Sequence, residues 1–202
     1  MGRHGEMRHR DTESQRIFSL LCVSMSSVSP VAGVNSRENM TLNVRPASLD
    51  DADAITVIYN QGIVDRVATL ESTLRTRAER REWLAQRGLR HPVIVGDANG
   101  EVVGWASLNQ FNPRDAYAHV VDFSIYIERG WRGKGVGTAL LARLIDLART
   151  LGYHKMVLAA LPHNEAGLAL YSRAGFTRVG IYHEQGKLDG RWVDVLLMEK
   201  IL

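Results

Sequence analysis

The chain has 202 residues, enough for one domain with a substantial core but too few for two domains of ordinary size. Apolar residues make up 45% of the chain and charged residues 23%, and the formal charge of +3 gives no reason to expect nucleic acid as a partner. The sequence has no run of 18 apolar residues that would predict a membrane span, and its single cysteine, Cys22, excludes a disulfide framework and a cysteine-ligated metal site.

The first 39 residues differ in composition from the rest of the chain. A basic start is followed by a short apolar patch, Ile17–Met25, and by a serine-rich stretch, a pattern that partly resembles a signal peptide. Acidic residues interrupt the basic part, however, and no small-residue cleavage site follows. We therefore predict that residues 1–39 are an unstructured tail, or sequence upstream of a natural start at Met40. Residues 40–202 are predicted to form the domain of a cytoplasmic protein.

The N-terminal part of this domain predicts one strand and two helices. Residues 42–45 alternate between apolar and polar, as in a short strand. Ser48 followed by Asp51, and Thr76 followed by Glu79, are capping-box patterns that predict two helix starts. The apolar positions of the first helix are Ile55, Ile58 and Tyr59.

Three strands are predicted next. The second helix is expected to end near Gly88, and a strand follows from Pro92 to Val95. Asn99-Gly100 is a dipeptide favoured in tight hairpin turns, so the chain is expected to return antiparallel through residues 102–105. A further strand is predicted from about His119 to Ile127.

The C-terminal part begins with a glycine-rich turn and a strongly periodic helix, whose apolar positions are Leu140, Leu141, Leu144, Leu147, Ala148 and Leu151. The continuous apolar run Met156–Leu161 predicts a strand buried on both faces. A short helix is expected after Asn164, with Gly175 closing it, and two last strands flank the Asp189-Gly190 turn. The apolar run Val193–Met198 in the last strand would suit burial at an interface.

These elements follow the order β-α-α-β-β-β-α-β-α-β-β. The strand–helix–strand crossover in the middle predicts parallel pairing there, because parallel neighbours need such a connection. Antiparallel strands are expected around it. The sequence therefore predicts an α/β (α+β) domain built on a mixed sheet.

The segment from Arg129 to Thr138 carries the clearest chemical signal. Three alternate glycines, Gly133 to Gly137, lie between a strand and a helix, so backbone N–H groups and the positive end of the helix can face one space. Arg132 and Lys134 add positive charge. The segment therefore predicts a seat for a phosphate or pyrophosphate.

Two common phosphate-binding patterns do not fit this segment. A P-loop would need lysine where Val136 stands, and a dinucleotide-binding turn would need glycine at Thr138 or Leu140. The pattern that remains is Arg-x-x-Gly-x-Gly, from Arg132 to Gly137.

This motif, placed after the strand that ends in Ser124-Ile125-Tyr126-Ile127, resembles the acetyl-CoA signature of the GNAT family of N-acetyltransferases. A second family element is matched at the family's spacing by Asn164, Ala166, Tyr171 and Gly175-Phe176. The resemblance implies a central twisted mixed sheet of about seven strands flanked by four helices, and acetyl-CoA as co-substrate without a metal. The residues that it implies for acetyl-CoA binding are Phe123, Ser124, Ile125, Tyr126, Ile127, Arg132, Gly133, Lys134, Gly135, Val136, Gly137, Thr138, Asn164 and Ala166.

Within this family the chain resembles the phosphinothricin, methionine sulfoximine and arsinothricin N-acetyltransferases. The matching segments are Ile58-Tyr59-Asn60, residues 67–71, Trp105-Ala106-Ser107 and residues 187–195. The resemblance implies a homodimer that acetylates the amino group of a small amino-acid analogue and so confers resistance. The residues that it implies for acceptor binding are Asn60, Thr69, Glu71, Phe111, Arg114, Tyr117 and Lys187.

The resemblance also implies two catalytic residues. Asp122 takes the position of the base that removes a proton from the amine, although the subgroup usually has glutamate there. His119, three residues earlier, is a competing candidate. Tyr171 takes the position of the acid that protonates the departing thiolate, since a phenol remains protonated at neutral pH.

Two other functions stay open from the sequence. The chain could acetylate a protein N-terminus or a polyamine, although Arg114 and Lys187 would not suit a polycation. It could also bind acetyl-CoA as a sensor without catalysis, although a sensor would need neither Asp122 nor Tyr171.

Overall fold

The computed structural model describes residues 41–202, so the predictions for residues 1–39, including Cys22, fall outside the described residues. The described chain forms seven strands and four α-helices in the predicted order. They are β1 (Leu42–Pro46), α1 (Ala52–Val64), α2 (Arg77–Ala85), β2 (Val93–Ala98), β3 (Glu101–Gln110), β4 (Val120–Ile127), α3 (Val136–Thr150), β5 (Lys155–Ala160), α4 (Glu165–Arg173), β6 (Thr177–Leu188) and β7 (Arg191–Ile201). No helix between residues 41 and 202 has the length and apolar character needed to cross a membrane.

The seven strands form one sheet in the order β1-β2-β3-β4-β5-β7-β6. Neighbouring strands are antiparallel except β4 and β5, which are parallel and joined by the crossover through α3, as predicted. This parallel pairing covers only three residue pairs and ends where Asp122 faces Val157. β4 then continues to Ile127 against β3, while β5 continues to Ala160 against β7. The sheet therefore splays apart between β4 and β5.

Local sequence signals set the starts of the first two helices. The backbone N–H of Thr76 donates to the Glu79 carboxylate at 2.7 Å, and the Glu79 N–H donates to the Thr76 hydroxyl at 3.2 Å, which confirms the predicted capping box. The Ser48 N–H likewise donates to the Asp51 carboxylate at 2.7 Å. Here the capped residues form a short 3-10 turn, Leu49–Asp51, that leads into α1.

Both faces of the sheet are covered, and each has its own core. On one face α3 buries Val136, Leu140, Leu141, Leu144 and Ala148 against the strands, while the predicted positions Leu147 and Leu151 are only partly buried. On the other face α1 and α2 pack around Trp105, which is 1% exposed. The predicted apolar positions of α1 are all buried there.

Two predictions about strand burial are wrong. β5 is not buried on both faces, because Ala159 is exposed and Val157 only partly buried beside the splay. The run 193–198 is not left as a free apolar surface for an interface, because β7 lies inside the sheet between β5 and β6. Val195, Leu196 and Met198 are buried within the domain, while Val193 and Leu197 are partly buried. The edge strand on this side of the sheet is β6, and it is exposed along most of its length.

Candidate active site

A cleft of about 700 Å³ lies at the splay between β4 and β5. The lining residues that the sequence predicted are Ile125, Tyr126, Ile127, Arg132, Gly133, Gly135, Gly137, Thr138, Asn164, Ala166 and Tyr171. Lining residues outside that prediction include Ile58, Gly62, Val67, Ala68, Trp131 and His163. The end of β4, the glycine-rich turn, α4 and the end of α1 therefore meet around one space.

The glycine-rich turn presents backbone N–H groups to this cleft. Gly133 and Gly135 have φ of +76° and +89°, a left-handed conformation that glycine adopts without strain. α3 begins at Val136, and no side chain in the described part of the chain caps its first turn, so its first N–H groups are available to an anion. The Val136 side chain is fully buried in the core, so this predicted residue can offer a ligand only its backbone.

Asp65, the residue that follows α1, positions two positively charged side chains beside the turn. Its carboxylate accepts a hydrogen bond from Arg129 at 3.0 Å and forms an ion pair with Arg132 at 2.7 Å. These two guanidinium groups lower the pKa of the Asp65 carboxyl. Lys134 does not line the cleft, and its ammonium lies 5.1 Å from the centroid of the Trp131 ring. Asp65 was missed in the sequence because 64 residues separate it from Arg129.

Successive side chains of β4 point to opposite faces of the sheet. Tyr126 packs among aromatic rings on the α1 face, and the Ser124 hydroxyl accepts a hydrogen bond from Asn109 at 3.1 Å. Phe123 is buried on the α3 face, with its ring centroid 5.7 Å from that of Tyr171. Phe123 and Ser124 do not line the cleft, so at these two predicted positions only the backbone N–H and C=O groups could contact a ligand.

Asp122 lies on β4 where the parallel pairing with β5 ends. One carboxylate oxygen accepts the Phe123 N–H at 2.6 Å, and no cation among the described residues forms an ion pair with Asp122. Burial raises the pKa of its carboxyl to about 6, although the bond from Phe123 acts in the opposite direction. A carboxylate with this pKa can accept a proton near neutral pH. His119, the competing candidate, is exposed just before β4, and neither it nor Asp122 is among the residues that line the cleft. Asp122 is distinguished by its burial and by its position close to Tyr171.

Tyr171 and Asn164 come to the cleft on α4 and its N-terminus. Tyr171 is only 8% exposed, and burial together with the nearby charge of Asp122 raises its pKa to about 12. Its hydroxyl is therefore protonated at neutral pH and can act as a donor. The side-chain oxygen of Asn164 accepts a hydrogen bond from the Gly167 N–H at 3.0 Å and so caps α4. This bond orients the Asn164 side chain at the cleft wall.

Three predicted acceptor residues fix the loop after α1. The Asn60 amide bonds both backbone groups of Arg75 at 2.9 Å. The Arg75 guanidinium pairs with Glu71 at 2.8 Å and lowers the pKa of the Glu71 carboxyl. The Thr69 hydroxyl accepts the Glu71 N–H at 3.1 Å. None of these three side chains lines the cleft; they fix the loop that brings Val67 and Ala68 to it.

The other predicted acceptor residues lie elsewhere. Arg114 and Tyr117 line a second, smaller cleft of about 170 Å³, and the Phe111 ring packs against Tyr117 with centroids 5.6 Å apart. Lys187 lies on the outer hairpin, with its ammonium 4.5 Å from the centroid of the Trp192 ring. The described chain therefore does not gather all the predicted acceptor residues into one pocket.

Known proteins resemble this chain over the same elements. The model of the acetyltransferase (GNAT) family matches residues 62–176. A methionine sulfoximine/methionine sulfone acetyltransferase of Pseudomonas aeruginosa is 35% identical over 79% of this chain and 94% of its own length. The phosphinothricin acetyltransferase of Sinorhizobium meliloti, solved in complex with acetyl-CoA, is 33% identical with a TM-score of 0.76, over 81% of this chain and 89% of that one. A ribosomal-protein-alanine N-acetyltransferase of Brucella melitensis is 35% identical with a TM-score of 0.77, over 79% of this chain and 99% of that one.

Proposed function

The chain belongs to the acetyltransferase (GNAT) family, and on this premise we propose that it transfers the acetyl group of acetyl-CoA to the amino group of a small amino-acid analogue. The acceptors proposed are phosphinothricin, methionine sulfoximine or arsinothricin, and their acetylation would confer resistance. One observation carries the proposal: a single cleft joins an anion-binding turn to the buried phenol of Tyr171 on α4, and the partly buried carboxyl of Asp122 on β4 lies close enough to that phenol to raise its pKa.

Acetyl-CoA fits the shape and charge of the cleft. The N–H groups around Gly133 and Gly135, the start of α3 and the Arg132 guanidinium would hold the pyrophosphate. The thioester arm would extend along the open edge of β4, where no strand formed by residues 41–202 lies beside the backbone after Asp122. Asn164 at the opposite wall would donate its amide N–H to the arm.

The reaction needs one proton acceptor and one proton donor. We assign the first role to Asp122, which would take a proton from the ammonium group, directly or through a water molecule, so that the free amine can attack the thioester carbon. The carbon–sulfur bond then breaks, and Tyr171 would give its proton to the departing CoA thiolate. The attacking nitrogen would lose its second proton to solvent, and solvent would reprotonate the Tyr171 phenolate, so that the amide and the CoA thiol are released. N–H groups of β4 along the open edge would stabilise the negative charge on the thioester oxygen.

The acceptor class is supported by the names of the relatives and by the loop after α1. Two of the relatives compared act on amino-acid analogues, as their names state. The loop held by Asn60, Thr69 and Glu71 reaches the cleft beside Tyr126, where an acceptor would approach the thioester. An amino-acid analogue brings a carboxylate, for which the basic residues Arg114 and Lys187 remain candidates.

We also propose that the enzyme acts in the cytoplasm and as a homodimer. The exposed edge strand β6 supports the dimer, because Val179, Ile181 and Tyr182 leave apolar surface uncovered along it. Sedimentation of the purified protein tests this assignment: a single species at the monomer mass would contradict it.

The function is tested by acetyl-CoA-dependent thiol release with phosphinothricin, methionine sulfoximine and arsinothricin as acceptors. A peptide beginning with alanine and spermidine serve as controls, the peptide because one relative is named for ribosomal-protein alanine. Saturable turnover on an amino-acid analogue supports the proposal. Turnover on the controls alone would favour a protein or polyamine acceptor, and acetyl-CoA binding without any turnover would favour a sensor.

A further inference from the structure

The segment after α1, residues 66–71, crosses from one wall of the cleft to the other; we call it the strap. Val67 and Ala68 of the strap line the cleft, and Ala68 lies beside Gly62, where the Tyr126 ring approaches α1. The carbonyl oxygen of Arg66 accepts a hydrogen bond from Nε2 of His163 at 2.9 Å. His163 belongs to the opposite wall, so this bond closes one side of the cleft.

The Arg66 side chain ties the strap to two other parts of the fold. Its Nε and Nη2 donate to the two carboxylate oxygens of Asp189 at 3.0 and 2.9 Å, and Asp189 lies in the turn between β6 and β7. Its Nη1 donates to the carbonyl of Ile63 at 3.1 Å, in the last turn of α1. Leu70 of the strap also packs against Gly186 of β6, so closely that a Cβ there would lie 2.8 Å from it.

The backbone at Arg66 has φ of +58°, in the left-handed region. This conformation costs a non-glycine residue about 1 kcal/mol or more, so surrounding contacts must hold it. The ion pair to Asp189, the bond to Ile63 and the bond from His163 are the contacts that do so. The shape of the strap therefore depends on Arg66.

We infer that Arg66 is a positioning residue, which locks the strap over the thioester so that the amine, and not water, reaches it. The inference rests on the proposed acetyl transfer. On this inference, residues 66–71 help to position the acceptor amine, and the Arg66–Asp189 pair helps to keep water from the thioester. The glycine-rich turn would bind acetyl-CoA independently of the strap. A loosened strap would weaken amine binding and let water attack the thioester carbon, which releases acetate and the CoA thiol.

The test uses the full chain in the variants Arg66→Ala, Asp189→Asn and Asp189→Glu. The matched control is Asp53→Asn, which breaks the surface pair with Arg77; Asp53 and Asp189 are both 61% exposed. Because the pair is exposed, Asp189→Asn should raise the KM for the amine by about two- to fivefold, and Arg66→Ala, which removes further bonds, by about tenfold. The KM for acetyl-CoA should stay within about twofold of the wild-type value, while thiol release without amine rises relative to transfer. Asp189→Glu keeps the carboxylate and should lose less than Asp189→Asn, and Asp53→Asn should behave like the wild type.

Hydrogen exchange of the amides of residues 66–71 gives a readout that does not depend on activity, and it should quicken in Arg66→Ala. A faster-exchanging strap with unchanged amine KM and unchanged thiol release without amine would overturn the inference. So would unchanged exchange, because Arg66 would then not lock the strap. Failure of the wild-type enzyme on every amine would refute the proposed function instead, and the exchange and water-dependent release would still report on the strap.

Discussion

The substitution Asp122→Asn separates a catalytic role for this residue from a structural one, because the two roles predict opposite changes in stability. Burial raises the pKa of the Asp122 carboxyl from an ordinary 3.8 to about 6. A difference of this size corresponds to ~3 kcal/mol of unfavourable ionisation in the folded state at neutral pH. Asparagine has the same shape, carries no charge and can still accept the Phe123 N–H.

We therefore expect the variant to be more stable and much less active. Partial access of water reduces the full value, so the free energy of unfolding at pH 7.5 should rise by about 1–3 kcal/mol. Since the folded-state pKa is raised, the wild type regains stability as the pH falls below 6, and the advantage of the variant disappears below about pH 4, where the carboxyl is protonated in both states. Loss of the base should lower kcat by about 10²–10⁴-fold, and the acidic limb of the wild-type rate profile should have its midpoint near pH 6.

Urea unfolding at pH 7.5 and pH 4, together with steady-state thiol release, measures both effects. A variant that is less stable at pH 7.5 would show that the carboxylate stabilises the fold through contacts. A variant that retains wild-type kcat would show that another group removes the amine proton. We assign Asp122 as the catalytic base and infer that its ionised carboxylate destabilises the folded state. Either result would refute that assignment.

Three further changes test other parts of the site and fold. Tyr171→Phe should lower kcat by about 10-fold or more while leaving the KM for acetyl-CoA unchanged, because it removes only the proton donor; an unchanged kcat in steady-state assays would contradict this. Gly135→Ala should raise the KM for acetyl-CoA about tenfold, because alanine resists φ of +89°; Gly100→Ala has the same φ in a hairpin turn and should reduce stability alone. Burial acts to raise the pKa of the Asp51 carboxyl, but the bonds from Arg45 and Ser48 outweigh it and lower that pKa. Asp51→Asn removes the negative charge and one of the two oxygens that accept these bonds. It should cost about 1–3 kcal/mol in urea unfolding at neutral pH, and this difference should vanish as the pH falls well below 3.8, where the wild-type carboxyl is protonated too.

The elements were predictable where the signal is short-range. The Thr76 capping box and the Asn99-Gly100 turn each depend on residues within four positions, and both residues of the turn have positive φ, as such a hairpin requires. The end of α2 was less predictable. It lies at Ala85, three residues before Gly88, because the Arg87 N–H turns back to the carbonyl of Leu84 and tightens the last turn.

The site was predictable only in part, because some of its contacts join distant positions. The glycine-rich turn and Asn164 belong to motifs with fixed spacing, and they line the same cleft. Arg66 and Asp189 are 123 residues apart, and no local pattern relates them. Arg114 was named for the acceptor by resemblance alone, and its position in a separate cleft depends on the course of the loop between β3 and β4.

The parallel pairing of β4 and β5, which covers only three residue pairs, has a mechanical consequence. The sheet consists of two blocks, β1–β4 and β5–β7, and their backbone connection through hydrogen bonds is far narrower than that within either block. A ligand arm that lies along the free edge of β4 would add a strand where residues 41–202 provide none. Acetyl-CoA would then connect the two blocks as well as serve as a substrate. We expect the two blocks to move relative to one another each time the product CoA dissociates.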